Sequence, residues 1–352
     1  MVRCVFTDFD EFADAIKGLD GRYIPTARSM QQWWIDPVRI GNLTLQQVQI
    51  GGASTFAGTG RANELSIGMP ITDPTAISID GEVLTPESLI IIRHNRALTS
   101  SAQTTSRWAG MALPLPSASD SYFNDAEELD AVMRGGTHLR ANPASLRRVG
   151  LLVALLCSGD QSISIVDAAS LAAAQEEMFI TVSELFRTCT TVNESQRLGR
   201  PPVDRDKIIA RCFEFVRENG GQPILVSDLC RIAQVSERTL RNIFYEYFGV
   251  GPVRFLKVRQ LQEVRSALLD AGASGGKSVS SIATRFGVWD FSLFARNYRA
   301  LYGETPSQTL RGARPRNGLT PNRTSLGALQ SWMNYASRRF EQAAAENRAT
   351  LR

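Results

Sequence analysis

The 352 residues are 43% hydrophobic and 21% charged, a globular composition long enough for two or three domains. No run reaches the ~18 apolar residues that a membrane helix requires, and the opening MVRCVFTDFDEF lacks the residue order of a secretion signal, so a cytoplasmic protein with no membrane partner is expected. Five scattered cysteines (Cys4, Cys157, Cys189, Cys212, Cys230) and two distant histidines (His94, His138) argue against a disulfide framework and a metal cluster, no cofactor is expected, and the net charge of +4 divides into about −6 for residues 1–203, +5 for 204–312 and +5 beyond, a pattern that puts polyanion attraction at the carboxyl-terminal end.

The front of the chain favours strands from Arg39 to Leu115. LSIGMPI alternates Leu65, Ile67, Met69 and Ile71 on one face, ISIDGEVL surrounds a two-residue hairpin signal at Asp80-Gly81, and SLIIIR and WAGMALPL continue the series. Short strands with Gly and Pro between them predict a small barrel or sandwich up to about residue 116. Metal-binding barrels of this size cluster histidines, and here His94 stands alone. The mouth of such a barrel is a usual ligand site, and Trp33 and Trp34 are candidates to line it, although aromatic pairs more often form plain core. Beyond Pro116 the period becomes helical. One helix is expected around DAEELDAVMRG, a second from Pro143 with Asn142 as its N-cap, and a third over residues 163–188. Their apolar faces require a partner surface, either the barrel or a second copy of the chain. The first 192 residues thus read as an effector-binding and dimerisation domain, and the polar, Pro-rich segment 193–204 as a linker.

An amphipathic helix from Arg205 opens the next unit. ILVSDLCRIAQVSERTLRNIFYEYFG then reads as a short helix with Ser227 as N-cap, a turn at Gln234-Val235 and a second helix begun by Ser236. Leu229, Ile232, Leu240, Ile243, Phe244 and Phe248 face inward. PVRFLKVRQLQEVRSALLDAG is a long spacer from Pro252 to about Gly272. SVSSIATRFG, a turn at Gly287-Val288 and a helix from Asp290 to Tyr302 repeat the pattern: aligning Phe244 with Tyr298 superimposes Gly249 on Gly303 and Pro252 on Pro306. Two short helices around a tight turn form the motif that places a recognition helix in the major groove. A spacer of about 30 Å suits successive grooves ~34 Å apart. Paired interaction helices are the bland alternative, and the matched ends weigh against it.

From about Ala210 to Arg311 the chain resembles the DNA-binding domain of AraC/XylS-type bacterial transcription regulators, at Ser236, Leu240, Phe244, Gly249, the spacer, Ile282-Ala283, Gly287, Ser292, Phe294, Gly303 and Thr305-Pro306. Val288-Trp289 replaces the family's usual Phe and small polar residue, and GASGGKS lengthens the loop before the second unit. The front part resembles the cupin-like effector domains of such regulators in pattern and position. The resemblance implies a bacterial transcription factor with an α+β architecture, a small amino-terminal β-barrel with helices followed by an all-α tandem helix-turn-helix domain over 205–311. The partners expected are double-stranded DNA, a small-molecule effector, RNA polymerase and a second copy of the chain.

Groove chemistry selects the readers. Arginine bridges guanine O6 and N7 and asparagine pairs with adenine, which singles out Arg238, Arg241 and Asn242 in the first unit and Ser292 and Arg296 in the second, with Asn297 and Leu293 behind them. Arg254, Lys257, Lys277, Arg285 and Arg299 are candidates for phosphate contact. Residues 312–352 read as a basic tail that ends in an amphipathic helix with Leu326, Leu329, Trp332, Met333 and Phe340, which either meets phosphate or packs on the body. The function expected is a ligand-responsive activator. The rivals are an enzyme whose barrel is tethered to DNA, disfavoured because no paired carboxylates or nucleophile-base spacing stand out, and an architectural DNA binder, which would not need so large a front part.

Overall fold

The computed structural model describes residues 3–29, 31–94, 96–114, 137–157, 168–191, 205–219, 222–274, 278–312, 332–340 and 342. The helix expected around DAEELDAVMRG, the linker 193–204, Lys277, Leu326 and Leu329 lie outside them.

The front strands form two antiparallel sheets. The larger contains, in spatial order, β1 (Cys4–Phe6), β3 (Trp33–Ile40), β4 (Leu43–Ile50), β11 (Ser106–Pro114), β6 (Glu64–Pro70), β9 (Ser88–Arg93), β12 (His138–Arg140) and β13 (Thr190–Thr191). The smaller contains β2 (Leu19–Pro25), β5 (Ser54–Gly60), β10 (Leu98–Ala102), β7 (Ile77–Ile79) and β8 (Glu82–Val83). The expected closed barrel is therefore corrected to two layers. A barrel has one interior, whereas strand β9 is apolar on both sides: Leu89 and Ile91 face the helices, and Ile90 and Ile92 face the smaller sheet. Strands buried on both faces read as continuous apolar runs, which accounts for SLIIIR.

Turn chemistry sets the hairpin where the sequence puts it. Asp80 and Gly81 both take positive φ, 51° and 86°, and Ile79 pairs with Glu82, the geometry of a two-residue loop between strands. The outer face of the larger sheet is covered by α2 (Pro143–Cys157) and α3 (Ala168–Arg187), through Val149, Val153, Met178 and Val182. Asn142 caps α2, its Oδ1 accepting from the Ala144 N–H at 2.8 Å. The short α1 (Phe9–Ala15) inserts Phe12 into the core between the sheets.

The helical half comprises α4 (Arg205–Glu218), α5 (Val226–Ala233), α6 (Glu237–Phe248), α7 (Pro252–Ser274), α8 (Val279–Thr284), α9 (Phe291–Tyr302) and α10 (Pro306–Gly312). Helix α5 starts one residue before Ser227: Leu225 is its N-cap residue, and Asp228 accepts from the Leu225 N–H at 3.1 Å. Carboxylates are favoured in a first turn, so Asp228 displaces the expected serine.

Helical residues 332–340 pack on the body. Trp332, Met333, Ala336 and Phe340 are buried against Phe213 of α4, Phe248 of α6 and Phe255 of α7. Arg339 reaches Asp80 in the hairpin turn at 2.8 Å and Asp206 of α4 at 3.8 Å, and Gln342 Oε1 accepts from the Ala97 N–H. The segment thus fastens the smaller sheet to the helical half, whose core also takes in Ile24 and Ala57 from β2 and β5.

Candidate nucleic-acid interface

The first candidate reading helix, α6, is fixed at both ends by local chemistry. Ser236 Oγ accepts from the Thr239 N–H at 3.1 Å, and Gly249 closes the helix with φ 65°, its N–H donating to the Tyr245 carbonyl. Only glycine enters that region without steric cost. Leu240, Ile243, Phe244 and Phe248 point inward. Arg238, Arg241, Asn242 and Tyr245 are exposed, at the i, i+3, i+4, i+7 spacing of a single face. Arg241 pairs with Glu237 at 2.8 Å, both side chains more than half exposed. Such a pair contributes little, so the guanidinium can be surrendered to another acceptor.

Helix α9 repeats this construction. Asp290 Oδ1 accepts from the Leu293 N–H at 2.9 Å, and Gly303 ends the helix at φ 77°. Phe294, Tyr298 and Leu301 are buried, while Ser292, Leu293, Arg296 and Arg299 are exposed and Asn297 is half-buried. With Phe244 placed on Tyr298, Arg238 corresponds to Ser292, Asn242 to Arg296 and Tyr245 to Arg299. Burial pushes the Tyr298 phenol up to about 12, so it stays neutral while sharing a 2.9 Å hydrogen bond with Thr309 of α10.

The spacer α7 has 23 residues, about 34 Å of helix, and grips the two units by different means. Its first turn meets α6 through Phe255, which packs on Phe244 and Phe248. Its middle holds the second unit by hydrogen bonds. Gln260 Nε2 donates to the Phe286 carbonyl at 2.8 Å, and Gln262 Oε1 accepts from the Tyr302 hydroxyl at 2.8 Å. Arg265 lies over the Tyr302 ring, 5.0 Å from its centroid.

Of the phosphate candidates, Arg285 and Arg299 are exposed. Arg254 is exposed as well, but its Nη2 donates to the Thr26 carbonyl of the front part at 3.0 Å. Lys257 is half-buried with its Nζ 3.1 Å from Gln260 Oε1. Sequence reasoning passed over Tyr245 and Trp289, which are 55% and 77% exposed. The i+7 step from Arg238 would have found the tyrosine.

Trp33 and Trp34 do not line the cavity of the front part. Trp33 packs among Phe9, Phe12 and Tyr23 with its Nε1 donating to Ser29 Oγ, and Trp34 lies under the Arg3 guanidinium at 3.9 Å. The cavity, about 80 Å³, opens between the sheets and is lined by Tyr23, Phe56, Ile90 and Trp108 with Gln46 and Ser66. Gln46 and Ser66 already have protein partners, the Lys17 backbone and the Gly18 carbonyl. His138 is tied to Ser88 Oγ at 2.7 Å and Glu82 at 3.2 Å, and His94 is exposed. Among the described residues no three His, Cys, Asp or Glu side chains gather to hold a metal, and no helix is long and apolar enough to cross a membrane.

A family model described as a helix-turn-helix domain matches residues 229–312. The XylDLEGF operon transcriptional activator of Pseudomonas putida is 36% identical over 101 residues, 29% of this chain and 31% of that protein, so the chain spans about a third of that relative's length. XylDLEGF operon transcriptional activator 2 of the same species is 30% identical over 108 residues, 31% of this chain and 68% of that protein. Among solved structures, a probable AraC family transcriptional regulator from Rhodopseudomonas palustris CGA009 is 32% identical, covering 31% of this chain and 98% of that one, with a TM-score of 0.28. On its doubled helices and on these sequence alignments, the chain belongs to the AraC/XylS-type family of transcription regulators.

Proposed function

We propose that the protein is a sequence-specific DNA-binding regulator of transcription that sets α6 and α9 into adjacent major grooves of one duplex. One observation carries this reading: two helices, each with a side-chain N-cap and a glycine at its end, display outward faces of guanidinium, amide and hydroxyl groups, held apart by a helix whose length is close to one duplex turn. Arg238, Arg241, Asn242, Ser292 and Arg296 read bases, and Arg285 and Arg299 bind phosphate, joined by Lys257, Lys277 and by Arg254 once it leaves Thr26. The relatives are named as operon activators, which supports activation, with RNA polymerase as the partner that activation requires and the cytoplasm as its place.

The cavity between the sheets is the effector site. Its volume is several times the 10–15 Å³ that one water needs, and its lining is mostly apolar, with Val48, Ile50, Phe56, Ile79 and Ile92 among the wall residues, which favours a small apolar molecule over a sugar. The exposed Leu151, Leu155 and Ile180 on α2 and α3 form the face for a second copy of the chain. Among the described residues of the front part, no arrangement of nucleophile and base favours the enzymatic alternative.

Selection of bound sequences from a random duplex library by the full chain tests the reading. A two-part motif with its centres about one turn apart is expected, with the logarithm of the affinity falling linearly in log salt. Arg238→Ala should cost ~1–3 kcal/mol on the selected duplex and flatten preference at a single base pair. An unchanged ranking of base substitutions would remove Arg238 from the readers.

A further inference from the structure

Resting on the reading just given, we infer that the second unit recognises thymine methyl groups, with Trp289 as the main contact, Leu293 beside it and Phe291 on the flank. The two reading heads differ at three places. With Phe244 on Tyr298, Val235 falls on Trp289, Glu237 on Phe291 and Thr239 on Leu293. The first head is thus half-buried or polar at these positions, while in the second Trp289 is 77%, Phe291 41% and Leu293 38% exposed.

The turn directs the indole outward. Gly287, at φ 73°, lets the chain reverse, and Val288 sinks into the core at 4% exposure with its N–H on the Ala283 carbonyl. The next side chain in the extended backbone faces the opposite way, into solvent, and Asp290 then caps the helix. Ser292 and Arg296 lie four residues apart on one face of the helix with Leu293 beside them, and Trp289 stands just before the N-cap Asp290, at the amino-terminal end from which recognition helices touch base edges. An exposed apolar cluster rimmed by polar groups marks a contact surface. In a major groove of donors and acceptors, the apolar feature is the C5-methyl of thymine. The duplex is favoured over a protein surface because Ser292 and Arg296, the donors on the same face, are hydrogen-bonding groups of the kind that base edges accept.

The full chain and the duplex it selects supply the test. Each thymine of the second half-site is replaced in turn by uracil, which removes only the methyl. The wild-type Kd should rise about three- to five-fold for each methyl contacted. That penalty should vanish in a Trp289→Ala/Leu293→Ala variant, while uracil in the first half-site should cost wild type and variant alike. A second readout needs no variant. Trp33, Trp34 and Trp332 are buried and Trp108 is half-buried, so iodide quenching reports mainly Trp289, and bound duplex should shield it. Failure to select any sequence would defeat the DNA reading itself. Successful selection with a uracil penalty equal in wild type and variant, and with quenching unaffected by duplex, would overturn the inference alone and assign the patch to a protein partner.

Discussion

Replacing Trp332 by alanine tests whether residues 332–340 belong to the core of the DNA-reading half. The indole is fully buried, with its ring centroid 5.6 Å from that of Phe213, 5.7 Å from Phe255 and 6.0 Å from Phe248. Truncating a large aromatic in such a place leaves a cavity between elements too stiff to close it, and costs ~3–5 kcal/mol. Phenylalanine separates packing from hydrogen bonding. The Trp332 Nε1–H is buried with no partner among the described residues, so Trp332→Phe loses part of a ring but also removes an unpaired donor whose burial costs ~1–3 kcal/mol. It should therefore cost less than ~1.5 kcal/mol. Urea titration of the full chain followed by far-ultraviolet circular dichroism measures both. An alanine cost below ~1 kcal/mol, or equal costs for the two variants, would refute the packing argument.

Arg339→Met leaves Asp80 and Asp206 facing each other without their shared cation and should cost roughly 3 kcal/mol, seen as a lower melting temperature; a change too small to measure would count against the ion pairs. Gly303→Ala forces a side chain to φ 77° and should lose ~1–2 kcal/mol, with Gly303→Asn losing less in the same thermal assay. Burial pushes the thiols of Cys157, Cys189 and Cys212 up to about 12, so they stay protonated and slow to alkylate at pH 8; mass spectrometry after brief iodoacetamide treatment should find Cys4, which is exposed, modified first and these three only after denaturant is added.

What could be read from the sequence was what local chemistry enforces. Asp80-Gly81 demanded a two-residue turn because few other residue pairs accept two positive φ values, and Ser236, Asn142, Gly249 and Gly303 mark helix ends for equally local reasons. The doubled motif was legible because each copy must rebuild the same inward face around Phe244 or Tyr298. Distant partners left no such trace. Strand β12 joins β9, and β13 joins β12, across some fifty residues each, and nothing in HLR or TT records which edge it will meet. Pro37 in the middle of β3 disguised a strand that pairs from Trp34 to Ile40 with β4. The two tryptophans suggested a pocket, but their rings were needed as core and as a platform for Arg3. Residues 332–340 showed their apolar face, and only the gap between Phe213, Phe248 and Phe255 says where it goes.

The smaller sheet is a partition one residue thick. Phe56 borders the cavity and its neighbour Ala57 belongs to the core of the reading half; Ile79 borders the cavity, and the next two positions hold Arg339 and stand against Tyr247, whose Cζ would lie 3.3 Å from a Cβ on Gly81. On the function proposed above, a guest that swells the chamber would press on the end of α6 directly, with no lever or relay in between.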